Sequence, residues 1–342
     1  MRNHQRATVV IGALVALAIA VGALLWSKWM PYQARIAELS VGHTWPGKSI
    51  LTVGGVQPGD PPSWSAATSF TWAYAQAVWK ALLAALLISA AVQTLIPRGW
   101  LLRVLSRPGR LSGALAGGLA STPSMMCACC SAPVAVTLRR SGVPTAAVVA
   151  YWLGNPLLNP AVLVFLFLVA PWQWGVTRLV VGALVVVGGA ALVARLTDGR
   201  TAAPVAPQTA PERPARGYLR TLLRLAVVLV PEYLVVVMLV GAFRGWLFPL
   251  SGGEAGVAVV VVAALVGTAM VIPTGGEIPI VQGLALAGLS LGAAGALLIT
   301  LPALSLPGAA MVLRAFGWRV TTATAAVVLT GGLAGAGLIV LL

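Results

Sequence analysis

Charged residues are scarce in this sequence, and acidic residues are the scarcest of them. Only 8% of the 342 residues are charged, whereas soluble domains carry roughly a quarter. Hydrophobic residues make up 59% of the chain, and the mean hydropathy is +0.95. This composition excludes an ordinary soluble domain and predicts an integral membrane protein.

Cysteine is also sparse, and the whole chain has only three, all between Cys127 and Cys130. A disulfide framework that links distant segments is therefore excluded. The sequence also lacks the glycine-rich P-loop pattern, so it predicts neither direct use of ATP nor any bound cofactor.

The formal charge of +15 comes from 22 basic residues against seven acidic ones. In a soluble protein such an excess favours nucleic-acid binding. Here the arginines fall mainly in short segments between apolar runs, as between Arg98 and Arg110. The positive-inside rule explains that pattern, so the expected partners are the lipid bilayer and a small solute, and no nucleic acid.

Apolar runs long enough to span a bilayer as helices, about 20 residues each, recur from Thr8 almost to Leu342. The first run, 8–26, is longer than the apolar part of a signal peptide and lacks a clear cleavage site, which favours an anchor helix. The predicted organisation is a transmembrane anchor at 1–30, an extracytoplasmic loop at 31–65, a first transmembrane repeat at 66–195, a cytoplasmic linker at 196–220 and a second transmembrane repeat at 221–342.

Two of the apolar runs are interrupted. Residues 111–138 are broken at Thr122-Pro123 and again at Pro133, and Arg139-Arg140 follow. A full crossing would place these arginines outside, so a re-entrant hairpin fits the charge rule better. Residues 255–287 are broken in the same way at 273–276.

A constant offset of 146 positions relates the two interrupted regions. It pairs Pro133 with Pro279, Gly142 with Gly288, and Pro156 with Pro302. Chance periodicity in a chain rich in Gly, Ala and Leu is the alternative. If each repeat crosses the membrane three times, the second repeat enters it in the opposite orientation. Many transporters form their substrate site between two inverted repeats of this kind.

The predicted fold is therefore an all-α polytopic membrane protein. It has two inverted-topology repeats, each with three transmembrane helices and a broken re-entrant hairpin, plus an extra N-terminal helix. We expect about seven full crossings, with the N-terminus inside and the C-terminus outside.

The cysteines form the most distinctive chemical feature. Cys127, Cys129 and Cys130 follow Met125-Met126, and a group of thiols and thioethers suits thiophilic species such as trivalent arsenic, Cu(I) or Hg(II). Packing of small side chains at a close helix approach is the alternative. Cys127 and Cys130 also form a Cys-x-x-Cys pair, which raises a membrane thiol oxidoreductase as a second class.

Polar residues near the breaks complete the predicted site. Glu277 aligns with Ser131 and could carry a coupling proton, receive a cation or cap the second half-helix. Asn155, Asn159 and Ser305 lie beside prolines, where they could coordinate a solute or satisfy the broken backbone. The predicted substrate-binding residues are Cys127, Cys129, Cys130, Ser131, Asn155, Asn159, Glu277 and Ser305. Lys80 and Glu232, also within apolar runs, could pair with each other or with Glu277.

Four motifs from these regions resemble the predicted permease family of the ArsP/YraQ type, and the resemblance extends from about Ala77 to the C-terminus. The motifs are Thr122–Pro133 (TPSMMCACCSAP), Arg140–Pro144 (RSGVP), Gly154–Pro160 (GNPLLNP) and Pro273–Ile280 (PTGGEIPI).

The resemblance implies a permease of the cell membrane rather than an enzyme. Some members of that family export trivalent organoarsenicals, with cysteines of the first motif as candidate ligands. The family pattern is closer to Pro-Phe-Cys-Ser-Cys, so Met125-Met126 and the third cysteine are departures. The predicted function is passive or proton-coupled movement of a small thiophilic solute, and the alternatives are another small sulfur-containing or metal species, or a membrane thiol oxidoreductase.

Overall fold

The computed structural model describes residues 2–46, 49–198, 214–247 and 256–342. Within these ranges the regular structure is helical and contains no strand, which confirms the all-α prediction. The α-helices are α1 Arg2–Leu24, α2 Met30–Gly42, α3 Trp64–Leu95, α4 Arg98–Leu105, α5 Arg110–Ser121, α6 Ala128–Arg140, α7 Thr145–Leu157, α8 Pro160–Val169, α9 Trp172–Ala183, α10 Ala190–Thr197, α11 Pro214–Leu247, α12 Val257–Ala269, α13 Glu277–Leu286, α14 Leu291–Ala303, α15 Leu306–Phe316 and α16 Trp318–Leu341.

Six helical stretches in the described part of the chain are long and apolar enough to cross a membrane. A seventh forms if α14 and α15, which meet at an angle of 51°, count as one bent span. The prediction of about seven crossings agrees with this range, and the chain is a multi-pass membrane protein. The six stretches are Val10–Gly42, Trp64–Leu95, Thr145–Val169, Trp172–Thr197, Arg216–Trp246 and Trp318–Leu341.

The N-terminal helix is longer than the sequence predicts. A π-helical stretch, Leu25–Trp29, joins α1 to α2, so helix continues to Gly42 through the start of the predicted loop at 31–65. Pro31 cannot donate a backbone hydrogen bond, and the wider π turn directly before it accommodates that loss. A short 3₁₀ stretch, Ile50–Gly55, follows in the rest of that region.

Both predicted interruptions at the middle of an apolar run are present. Residues 122–127 separate α5 from α6, and residues 270–276 separate α12 from α13. The second predicted break, at Pro133, is wrong because this proline lies inside α6. The hydrogen bond that it forgoes would run to Cys129 in the first turn, so only the start of the helix is loosened.

The helices after the breaks follow the 146-residue offset closely. Both ends of α14 lie 146 positions after those of α7, and α15 begins 146 positions after α8. Gly142 and Gly288 have left-handed φ angles of 89° and 91°, which glycine adopts without strain. Helices α7 and α14 are therefore each preceded by a glycine in the same left-handed conformation.

The predicted linker at 196–220 is partly helical. At its start α10 continues to Thr197, and at its end α11 begins at Pro214. The remainder of this prediction, residues 199–213, lies outside the described residues.

Close helix packing holds the broken segments in place. Helix α5 packs against α7, and α12 packs against α14. Gly117 on α5 meets the backbone carbonyl of Ala147, and Gly267 on α12 meets the side chain of Thr300, with no room for a Cβ. Small residues at such contacts let membrane helices approach closely.

We predict that Gly117→Ala destabilises the fold by about 2 kcal/mol, because the new methyl group overlaps backbone that cannot move aside. Chemical unfolding in mixed micelles measures this change. Gly337→Ala is the matched control, since a Cβ there meets nothing within 4 Å. Equal stability of the two variants would contradict the packing argument.

Candidate functional site

A small buried cavity lies between the two breaks. Its volume is about 10 Å³, roughly the room that one water molecule needs. Both breaks and the prolines of α7 and α14 contribute to its wall. The lining residues are Cys127, Pro156, Ile272, Pro273, Thr274, Glu277 and Pro302.

The three cysteines form one cluster beside this cavity. Cys127 immediately precedes α6, and the first turn of that helix carries Cys129 and Cys130. All three are buried free thiols, and their sulfurs lie within 4.8 Å of one another. The Sγ atoms of Cys127 and Cys129 are 3.1 Å apart. The structure thus brings together a set of soft donor atoms, of which Cys127 faces the cavity.

Two tyrosines from the long helices reach the cluster. The hydroxyl groups of Tyr74 on α3 and Tyr233 on α11 lie 3.1 and 3.5 Å from the Sγ of Cys129. Both tyrosines are buried. They were not predicted from the sequence, because nothing in an apolar run shows which helix face meets another segment.

Asn155 stabilises the first break rather than pointing into the cavity. Its Oδ1 accepts hydrogen bonds from the Ser124 hydroxyl and from the backbone N–H of Met126. Its Nδ2 donates to the carbonyl of Tyr151 at 2.8 Å. Of the two predicted roles for Asn155, the structure shows satisfaction of the broken backbone.

A buried ion pair connects α9 to the second break. The guanidinium of Arg178 lies 2.9 Å from Oε1 of Glu277, and both side chains are 1% exposed. Glu277 is the first residue of α13 and lines the cavity. Its other oxygen, Oε2, is buried and has no hydrogen-bond partner among the described residues. Glu277 therefore pairs with a cation instead of capping its own helix.

Arg178 also binds three backbone carbonyls, those of Pro156, Leu157 and Leu298, at 2.6, 3.1 and 3.1 Å. Two of these carbonyls lack their usual helical donor, because the residues four positions later are Pro160 and Pro302. Arg178 thus satisfies acceptors that the prolines leave free. Its position inside the apolar run after Trp174 was the signal that could have identified it.

Lys28 reaches the site from the N-terminal helix. It lies in the π-helical stretch, is 6% exposed, and donates hydrogen bonds to Tyr32 Oη at 3.0 Å and Thr274 Oγ1 at 3.1 Å. Tyr32 in turn donates to the carbonyl of Met125 at 3.2 Å. The N-terminal helix therefore contacts both breaks, which the prediction of a separate anchor did not foresee.

The remaining predicted site residues lie outside the cavity wall. Ser131 donates to the carbonyl of Ala128 in its own helix. Asn159 and Ser305 accept hydrogen bonds from the first turns of α8 and α15 and so cap these helices. Solute contact by these three residues stays a prediction.

The predicted pairing of Lys80 and Glu232 is wrong. The Lys80 ammonium lies over the rings of Trp26 and Trp79, at 5.6 and 5.7 Å. Glu232 pairs with Arg314 at 3.7 Å. Lys80 therefore contacts aromatic rings, and Glu232 contacts an arginine in the last turn of α15.

Comparison with known proteins identifies the family of this chain. The model of the ArsP_1 family, described as a predicted permease, matches residues 63–336. The chain belongs to this predicted permease family. It is 40% identical over 332 residues to the UPF0718 protein YraQ of Escherichia coli (strain K12), which covers 94% of this chain and 93% of that protein. No solved structure matches the chain.

The family assignment confirms the resemblance drawn from the four motifs and supports a membrane transporter rather than an enzyme. The matched range contains both breaks, the cysteine cluster and the Arg178–Glu277 pair of this permease. Lys28 and Tyr32 precede the matched range. The cavity wall therefore lies within the matched range, and the N-terminal helix that contacts both breaks precedes it.

We predict a strong energetic coupling between Arg178 and Glu277. In a double-mutant cycle with Arg178→Met and Glu277→Gln, the coupling should be about 2 kcal/mol, because either single change leaves a buried partner uncompensated. Unfolding in mixed micelles measures each free energy.

The matched control is the Arg314–Glu232 pair, in which the arginine side chain is 67% exposed. Its coupling should stay below about 1 kcal/mol, as for other exposed pairs. Similar coupling in the two cycles would contradict a special role for the buried pair.

Proposed function

We propose that this permease exports a small thiophilic solute, with a trivalent organoarsenical as the model substrate, through the cavity between the two breaks. The observation that carries the proposal is the cluster of three buried, free thiols at the edge of that cavity. The efflux direction and the arsenical come from the family resemblance.

The donor atoms around the cavity favour a soft solute. Trivalent arsenic and soft metals prefer sulfur ligands, whereas hard cations such as Mg²⁺ and Ca²⁺ need several oxygen ligands. Among the described residues that line the cavity, Glu277 is the one carboxylate, and one of its oxygens is already bound to Arg178. That supports a thiophilic solute over a hard cation.

The proposed transport mechanism uses two inverted repeats, each with three crossings and one broken segment. The support is that corresponding helices follow one offset and that both breaks meet at the same cavity. In transporters built this way, one repeat rocks against the other around a fixed site near the midplane. The cavity in this structure is too small for an arsenical, so binding requires the two breaks to move apart.

We further propose that Glu277 couples transport to protons. Its free Oε2 can accept a proton, and after protonation the three carbonyls would still hold the guanidinium of Arg178 in place. Ionisable residues at membrane depth often serve as proton relays in transporters.

A membrane thiol oxidoreductase is the second candidate, favoured by the short distance between Cys127 and Cys129. It would need a partner dithiol or a quinone, since all the cysteines of this chain lie in one cluster. Flux in reconstituted vesicles separates the two classes, because the oxidoreductase moves no solute.

We predict that Cys127→Ser reduces flux of phenylarsine oxide in proteoliposomes at least tenfold, on the order of the loss of one good ligand. Cys129→Ser and Cys130→Ser should also reduce it, because the three sulfurs act as one donor set. Thr324→Ser is the control, since this buried hydroxyl bonds only within α16. Unchanged flux in all three cysteine variants would show that the cysteines only pack and do not bind the solute.

We predict that Glu277→Gln abolishes accumulation of this solute driven by a pH gradient and retains exchange at equal pH. Glutamine keeps the size of the side chain and an oxygen for Arg178, but it cannot change charge. The measurement compares gradient-driven uptake with counterflow in the same vesicles. Wild-type accumulation by the variant would rule out Glu277 as the coupling group.

A further inference from the structure

Lys28 is a buried cation that has no carboxylate partner in the described part of the chain. It lies within the span Val10–Gly42 and is 6% exposed. Its two hydrogen-bond partners, Tyr32 and Thr274, are neutral hydroxyl groups. Charges at membrane depth are costly and are normally paired or directed to a substrate pathway.

The acidic residues that the structure describes all have other partners. Glu38, Asp198, Glu232 and Glu277 form ion pairs with arginines, and Asp60 accepts a hydrogen bond from the backbone of Gln57. Around the cavity, Arg178 and Glu277 balance each other. Lys28 therefore leaves this site with one uncompensated positive charge when the thiols are neutral.

Two helix N-termini add to this positive field. Cys127, the residue just before α6, and Glu277, the first residue of α13, both line the cavity. No side-chain oxygen caps the first turn of either helix, whereas α8, α14 and α15 are capped by Asn159, Ser290 and Ser305. Uncapped N-termini present free N–H groups and a positive dipole end, which favour anions.

The hydrogen bond from Lys28 to Thr274 fixes the ammonium at the cavity wall, because Thr274 lines the cavity together with Cys127. An ammonium has three donors, and the described contacts use two of them. A bound solute can therefore receive the third hydrogen bond from Lys28. At the same time, a neutral thiol of the cluster can donate an S–H hydrogen bond to a sulfur of the solute, or its sulfur can bind a trivalent arsenic atom.

From this arrangement we infer that the permease's cavity binds a soft anion, a small solute that carries a negative charge together with a sulfur or trivalent arsenic atom, and that Lys28 is its counter-ion. This inference rests on the proposed function and narrows it. It disfavours bare Cu(I) or Hg(II) as the carried form, since a free cation would meet Lys28 and two positive helix ends.

The test measures, by calorimetry, the affinity of three probes for the purified, reduced full chain in detergent. Thiosulfate is a soft anion, sulfate is its hard counterpart with one oxygen in place of sulfur, and phenylarsine oxide is a neutral thiophile. We expect the wild type to bind thiosulfate more tightly than sulfate.

Lys28→Met should weaken thiosulfate binding about 30-fold or more, as expected for loss of a buried charge partner. Its affinity for phenylarsine oxide should change less than about threefold, because a neutral solute gains little from the charge. Lys28→Gln, which retains a hydrogen-bonding group without the charge, should behave in the same way. The control is Lys80→Met, since Lys80 lies over two tryptophan rings away from the cavity wall.

Three outcomes would overturn the inference. They are equal binding of thiosulfate and sulfate by the wild type, wild-type thiosulfate affinity in both Lys28 variants, and a parallel loss of phenylarsine oxide binding, which would make Lys28 merely structural. Failure of the wild type to bind phenylarsine oxide would instead count against the proposed arsenical function, and the comparison of thiosulfate with sulfate would still test the anion site.

Discussion

The ion pair between Arg178 and Glu277 is the interaction on which the centre of this permease depends. It joins α9 to the start of α13, and through three carbonyl contacts the same guanidinium also holds α7 and α14. Both regions that follow the breaks are thereby attached to one side chain. An arginine suits this task because its planar group offers five donors in a fixed geometry.

The prolines explain why so costly a group is buried there. Pro160 and Pro302 cannot donate to the carbonyls four positions earlier, and free carbonyls within a bilayer cost several kcal/mol each. Arg178 donates hydrogen bonds to both of these carbonyls, and Glu277 compensates its charge. The prolines leave carbonyls without a donor, the arginine binds these carbonyls, and the glutamate balances the charge of the arginine.

Local patterns predicted much of this architecture. The apolar runs predicted the spans, and the Pro and Gly clusters predicted the two breaks at the middle of an apolar run. The two glycines that the offset pairs, Gly142 and Gly288, share a left-handed backbone conformation. The clustering of the cysteines also followed from the sequence, since neighbours in one helical turn must lie close together. These features depend on residues that are near each other in the chain.

The features that sequence reasoning missed depend on distant contacts. Arg178 meets Leu298 across 120 positions, and Lys28 meets Thr274 across 246. Pro133 was misplaced as a break because its cost depends on its position within a helix that the pattern could not delimit. The π-helical stretch before Pro31 was hidden for a similar reason, since hydropathy does not distinguish π from α turns.

The two kinds of contact at the cavity differ in strength, and this difference indicates where the site opens. Removing a partner from the buried Arg178–Glu277 pair costs about 3–5 kcal/mol, whereas a single hydrogen bond such as that from Tyr32 to Met125 contributes about 1 kcal/mol. The N-terminal helix touches each break through one or two such bonds. A motion that separates the two breaks, as the proposed mechanism requires, therefore costs least where it releases this helix from one of them.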